Sequence, residues 1–161
     1  GRYPTREEIR FLAYASLIHG AQGLLFNCYQ FDYGEGLGGD DISRKANPKQ
    51  WQVVSSVATE LKSLSPVLST PTVEPVGITV TGGQIAIMLK QYQDRYYLFI
   101  ANPSPNANEF EVKFAPDKFP TPRIMLYPEK RNIPSQGNSF SDQWGPYDVR
   151  VYVISTGEII N

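Results

Sequence analysis

The chain has 161 residues and a formal net charge of −1 from 15 Lys/Arg and 16 Asp/Glu, with 41% hydrophobic, 19% charged and 12% aromatic residues. That balance belongs to a folded globular chain rather than a disordered one. With no run of Lys/Arg it disfavours a nucleic-acid partner, whose phosphates demand clustered positive charge.

The lone cysteine, Cys28, excludes an internal disulfide and a cysteine-built zinc cage, and in its apolar surroundings it reads as a small buried hydrophobe. No stretch approaches the roughly 18 apolar residues of a membrane span, so no membrane partner is expected. Gly1-Arg2-Tyr3-Pro4 is not a signal peptide and carries no initiator Met. The expectation is that the natural protein begins upstream, with Gly1 left by a removed tag.

The first elements read as helix, strand, loop and helix. Thr5-Arg6-Glu7-Glu8 predicts a capping box, and an apolar run from Ile9 to Ile18 follows, ending at His19-Gly20 with Gly20 placed for a left-handed cap. A helix so apolar around its circumference belongs in a multilayer fold. Gly23-Leu24-Leu25-Phe26-Asn27-Cys28-Tyr29 predicts a parallel strand covered on both faces, because its apolar run is continuous rather than alternating. After a Gly- and Asp-rich loop, Asn47-Pro48 predicts a second helix start. Trp51, Val54, Ala58 and Leu61 mark its apolar face, and Pro66 marks its exit.

Beyond Pro71 the pattern turns to strands. Residues 78–81 and 84–89 flank Gly82-Gly83 and predict a hairpin. Residues 96–101 follow Asp94-Arg95, residues 110–114 and 149–153 alternate, and a weaker strand covers 123–127. About six or seven strands with no helix between them predict an antiparallel β-sandwich. The fold class expected is α/β plus all-β: residues 1–72 as a partial barrel of helix, strand and helix, and residues 73–161 as the sandwich. One helix-strand-helix cannot be complete alone, since a parallel strand needs neighbours and a whole barrel needs about 250 residues.

The segment Arg10-Phe11-Leu12-Ala13-Tyr14-Ala15-Ser16-Leu17-Ile18-His19-Gly20-Ala21-Gln22-Gly23-Leu24-Leu25-Phe26 resembles the end of (β/α)8-barrel glycoside hydrolases. There a helix ending in a His/Tyr-Gly-Ala-x-Gly turn runs into the last strand. Leu61-Lys62-Ser63-Leu64-Ser65-Pro66-Val67-Leu68 resembles their final barrel helix and its exit. A β-sandwich is the usual appendage of those enzymes. The resemblance implies a C-terminal piece of a sugar-cleaving enzyme whose two catalytic carboxylates would sit at the ends of the fourth and seventh strands, ahead of Gly1. This chain alone is then expected to be inactive. A secreted or periplasmic parent suits an enzyme that cleaves polysaccharide, although the compartment is not legible here.

Strand C-termini face the substrate in such a barrel. Tyr29, Phe31 and Asp32, together with Gln30 and Tyr33, are therefore the expected sugar-binding residues, by ring stacking and by hydrogen bonds to hydroxyls. His19 lies at the opposite end and is expected to cap helix carbonyls. Gly34-Glu35-Gly36-Leu37-Gly38-Gly39 matches a dinucleotide pattern but is followed by Asp40-Asp41 instead of a helix, so no nucleotide cofactor is expected. Glu35, Asp40 and Asp41 lack calcium-loop spacing, and no metal is expected. Tyr92, Tyr96, Tyr97, Tyr127, Trp144, Tyr147 and Tyr152 divide between core and a potential carbohydrate platform. The competing function is thus a carbohydrate-binding or structural sandwich without catalysis, whose binding form requires exposed, coplanar rings on one sheet face. The partners expected are carbohydrate and either the rest of the barrel or a second copy meeting the bare strand.

Overall fold

The computed structural model describes residues 3–26 and 48–156. The chain divides into two units, residues 1–64 and 65–161.

In the first unit, α1 spans Arg6–Ile18 and α2 spans Pro48–Ser63. The capping box forms as its sequence predicts. The Glu8 N–H donates to Thr5 Oγ1 at 3.2 Å, and the Thr5 N–H donates to the Glu8 carboxylate at 2.8 Å. At the other end Gly20 takes φ +98°. Its N–H donates to Leu17 O at 3.0 Å and the Ala21 N–H to Ser16 O at 2.9 Å, the two bonds of a Schellman cap. These backbone donors, not the exposed His19 imidazole, satisfy the last carbonyls.

Ile9 and Ala13 of α1 bury against Val54 and Val57 of α2, with Val53 and Leu61 partly covered beside them. The buried face of α2 is therefore Gln50, Val54 and Val57, while Ala58 is exposed and Trp51 is half-buried. The expected stripe through Trp51 and Ala58 is rotated by about one residue, because Val57 supplies more apolar area than Ala58. Gln50 tolerates burial since its Nε2 donates to Pro4 O at 3.1 Å.

The strand expected over residues 23–29 is not formed in its described part. Gly23 to Phe26 make no ladder, and residues 27–29 lie outside the described residues. Leu24 and Phe26 lean on the helix cluster, whereas Leu25 is 93% exposed. A strand needs partners for its N–H and C=O groups, and no described residue pairs with this one.

The second unit opens with a short helix, α3 (Ser65–Leu68), and continues as nine described strands. They are β1 (Thr72–Val73), β2 (Ile78–Thr81), β3 (Ala86–Tyr92), β4 (Arg95–Ala101), β5 (Asn108–Phe114), β6 (Pro122–Tyr127), β7 (Arg131–Ile133), β8 (Ser139–Trp144) and β9 (Val149–Thr156). One sheet has the order β1-β3-β4-β9-β6-β7 and the other β2-β5-β8, and every pairing is antiparallel. This is the expected sandwich.

Its core interleaves the two inner faces. Leu89, Leu98, Ile100, Ile124, Leu126, Tyr152 and Ile154 come from the larger sheet, and Ile78, Phe110, Val112, Phe114, Phe140 and Trp144 from the smaller. Alternation on β5 places Phe110, Val112 and Phe114 inward, as its pattern predicts. β9 differs from its expected alternation: residues 151 to 154 are all buried, so both faces of the strand are covered there.

Gly82-Gly83 does not close a hairpin. β2 pairs with β5 while β3 pairs with β1 and β4, so the glycines carry the chain from one sheet to the other. The hairpin lies one strand later, where Tyr92 faces Arg95 across Gln93-Asp94.

Candidate functional site

The expected sugar-binding residues Tyr29, Phe31 and Asp32 lie outside the described residues, as do Cys28, Gln30, Tyr33, the glycine-rich loop, Glu35, Asp40 and Asp41. Among the described residues no group of three His, Cys, Asp or Glu stands close enough to hold a metal. No described helix is long and apolar enough to cross a membrane.

The aromatic residues of the sandwich divide clearly. Trp144 and Tyr152 are core, and Tyr92, Tyr96, Tyr97, Tyr127 and Tyr147 are half-buried. Tyr96 packs edge-on to Phe119 with ring centroids 5.4 Å apart. Phe110 gathers Trp144 at 4.4 Å and Tyr152 at 6.2 Å. Trp144, Tyr152 and Tyr96 thus serve the interior, while Tyr92, Tyr97, Tyr127 and Tyr147 are partly exposed outside this cluster.

One cluster of charged groups and one buried lysine are structural in geometry. In the first unit Arg6, Arg10 and Tyr14 stand at i, i+4 and i+8 on α1 and converge on Glu60 of α2. The Arg10 guanidinium donates from Nη2 to Oε1 at 2.7 Å and from Nε to both oxygens, at 2.9 and 3.1 Å, and the Tyr14 hydroxyl adds a bond of 2.8 Å. Arg6 reaches the other oxygen at 3.4 Å. Burial pushes the Glu60 carboxyl up, but the Arg10 bonds and charge, with Tyr14 and Arg6, hold it below its ordinary value. In the sandwich Lys90 is buried with its Nζ donating to Thr70 O at 2.6 Å, and burial holds its ammonium below the usual lysine range.

An open cleft of about 670 Å³ lies at one end of the sandwich, between the start of β5 (Ala107, Asn108, Glu109) and the end of β8 (Gln143, Trp144, Gly145). The two lips are tied together by Asn102, which is fully buried. Its Nδ2 donates to Asn106 O at 3.0 Å and Gly145 O at 2.9 Å, and its Oδ1 accepts from the Ser104 N–H at 2.9 Å. Prolines 103 and 105 offer no N–H, so a side chain must cross-link this connection. The Tyr147 N–H completes the brace on Ser104 O at 3.1 Å. Around the cleft the side chains of Asn108, Glu109 and Gln143 make no hydrogen bond among the described residues, and the buried Trp144 Nε1 has no acceptor. Among the described residues of the lining Glu109 is the single carboxylate, and glycosidic cleavage needs two, an acid and a nucleophile or base. Sequence reasoning missed this site; its signal was a buried Asn ahead of a Pro-Ser-Pro connection.

No family model matches the chain, and no curated protein matches it. Among solved structures its fold is similar to that of an alpha-amylase from Geobacillus thermoleovorans, GTA, complexed with acarbose. The TM-score is 0.57 at 13% identity, over 95% of this chain and 34% of that one. An alpha-L-fucosidase isoenzyme 2 from Paenibacillus thiaminolyticus aligns at 17% identity over 73% of this chain and 20% of that one, and its TM-score of 0.37 carries no argument. This chain thus spans about a third of the length of the alpha-amylase whose fold it shares.

Proposed function

We propose that the chain is the C-terminal part of a carbohydrate-cleaving glycoside hydrolase, in which residues 1–72 close a (β/α)8 barrel and residues 73–161 form a sandwich appended to it. The observation that carries this reading is the fold similarity to the alpha-amylase over 95% of the chain. The helix-to-turn segment that resembles the last barrel helices supports it from the sequence side. In this reading Tyr29, Phe31 and Asp32 line the sugar pocket, by stacking on a pyranose face and bonding its hydroxyls. The catalytic carboxylates come from earlier barrel strands, so the chain alone does not hydrolyse glycosides. The exposed Leu25 meets a neighbouring strand, either the rest of the barrel or a second copy of the chain.

The sandwich serves first as a structural appendage, because its largest rings, among them Phe110, Trp144 and Tyr152, are spent on the core. The test is to express the full reading frame that encodes this segment and assay it on a panel of aryl glycosides beside the 161-residue chain. Hydrolysis by the long product alone, lost on replacing two barrel carboxylates, is the expected result. A frame without a barrel, or activity in the short chain, would sink the proposal.

A further inference from the structure

Among the described residues the two sheets end in four edge strands, β1, β7, β2 and β8. Three of these are closed, or nearly so, against further pairing. β1 is two residues long and lies between Pro71 and Pro75, and β7 is three residues long, with Arg131 exposed at its start and Pro134 after its end. β8 is longer, but its outward groups are mostly taken. The Phe114 N–H donates to Asn138 O at 2.8 Å and the Ala115 N–H to Gly77 O at 2.8 Å. Even-numbered residues of β5 therefore bond β8 and odd-numbered ones bond β2. On β8 this turns the backbone of Ser139, Ser141 and Gln143 outward. Ser139 exchanges bonds with Gln136 at 2.8 and 3.3 Å. The Gln143 N–H donates to Asp142 Oδ1 at 2.9 Å, and its carbonyl accepts from Arg150 Nη2 at 3.4 Å.

β2 is built differently. Ile78, Thr79, Val80 and Thr81 are all β-branched, with no charge and no proline among them, the composition of a strand that pairs readily. By the same alternation Thr79 and Thr81 bond β5, while Val80 turns its N–H and C=O away from it. Val80 also ends a core row that runs through Phe140 and Val112, and it is half-buried where those two are buried. We propose that β2 pairs with β2 of a second copy, antiparallel about a two-fold axis through Val80, joining two three-stranded sheets into one. The register is single. Thr79 or Thr81 on the axis would oppose groups already bonded to β5, and the Ile78 N–H is spent on Pro75 O at 3.0 Å. Each Val80 N–H then donates to the other Val80 carbonyl, and the two side chains prolong the core row. Thr79 meets Thr81 of the second copy, twice over. Lys113 and Glu111, which lie opposite Thr79 and Thr81 on β5, fall into rows of unlike charge across the seam. The contact is independent of what the parent enzyme cleaves.

Four residues a side bury well under the roughly 800 Å² per partner of a standard interface, so the dimer is weak. The test is NMR translational diffusion of the chain carrying Leu25→Ser, which removes the other exposed apolar contact. It should show a dimer with Kd of about 0.1–1 mM. Thr79→Lys with Thr81→Lys, both at exposed positions, sets like charges opposite each other and should weaken pairing about tenfold or more. Thr79→Lys with Thr81→Glu sets unlike charges in the same register and should restore the Kd to within about threefold. Amide exchange supplies a second measurement. The Val80 N–H should exchange fast in dilute solution and slow as the dimer forms, while those of Thr79 and Thr81 stay protected throughout. A monomer at about 2 mM, equal association of the two double variants, or a Val80 amide indifferent to concentration overturns the proposal.

Discussion

The Tyr152 hydroxyl donates to Asp142 Oδ2 at 2.6 Å, joining β9, at the middle of the larger sheet, to β8, at the edge of the smaller one. Tyr152 is fully buried, so its hydroxyl requires an acceptor, and an ionised carboxylate is a strong one. The bond also explains an inward-facing acid on an edge strand. A carboxylate at that position costs little when paired, and it discourages another chain from docking onto β8.

Tyr152→Phe should destabilise the sandwich by about 1.5–3 kcal/mol, the worth of a hydrogen bond to a charged group. The pH dependence carries a sign. Burial first, then the bond to Asp142 and its charge, holds the Tyr152 phenol well above its ordinary value of 10.0. A group raised in the folded state contributes fully below its unfolded value and loses that contribution as pH rises past it. Urea midpoints of the wild type should therefore fall as pH climbs above about 10, and the Phe variant should fall less. Equal slopes for the two proteins would show that Tyr152 is not the responsible phenol.

Glu60 is the acceptor for three side chains of α1, and its carboxyl is held below its ordinary value. Glu60→Gln removes the charge that accepts from the Arg10 guanidinium, which is nearly as buried as its partner, and should cost about 3 kcal/mol. Here the sign is reversed. A depressed acid contributes above its unfolded value, near 4.5, and that contribution is lost as pH falls through the lower folded value. Far-UV circular dichroism melts between neutral pH and about pH 3 should show the difference between wild type and variant shrinking on acidification. A constant difference would argue that shape, not charge, makes Glu60 valuable.

Phe110 lies at the centre of the sandwich core, 4.4 Å from the Trp144 ring and 6.2 Å from that of Tyr152. Phe110→Ala should cost about 3–5 kcal/mol, since the neighbouring strands cannot collapse into the space of a whole ring. The measurement is the urea midpoint at neutral pH. A loss below about 1 kcal/mol would mean that this cluster is looser than its ring distances describe.

What could be read from sequence followed from how local its cause was. The Thr5–Glu8 box and the Gly20 cap are set by residues three or four apart, and both form as written. The alternation of β5 is equally local. β8 was overlooked because its inward positions read Phe140, Asp142 and Trp144, and the acid breaks the pattern until Tyr152 is seen beside it. The strand pairing was beyond reach for a similar reason. Gly82-Gly83 has hairpin chemistry, but whether β2 faces β3 or β5 depends on residues some thirty positions away. The cleft escaped altogether, since Asn108 and Trp144 come together only through the β5–β8 register.

The pairing of β2 makes the last prediction, a contrast between two glycines. Both Gly20 and Gly82 have positive φ, +98° and +127°, so alanine is strained at either. At Gly20 the added Cβ meets nothing within 4 Å, and Gly20→Ala should cost about 1–2 kcal/mol from backbone strain alone. At Gly82 the same atom would lie 2.6 Å from Phe110 Cα, in the backbone of β5, which cannot move without parting β2 from β5 or β5 from β8. Overpacking adds to strain there, and Gly82→Ala should cost about 3 kcal/mol or more. Were residues 82 and 83 instead the tip of a hairpin between β2 and β3, that Cβ would stand in solvent and the two variants would lose comparable stability. Urea titrations of the pair therefore report on the strand order itself, with unequal losses expected because the chain crosses between sheets at Gly82.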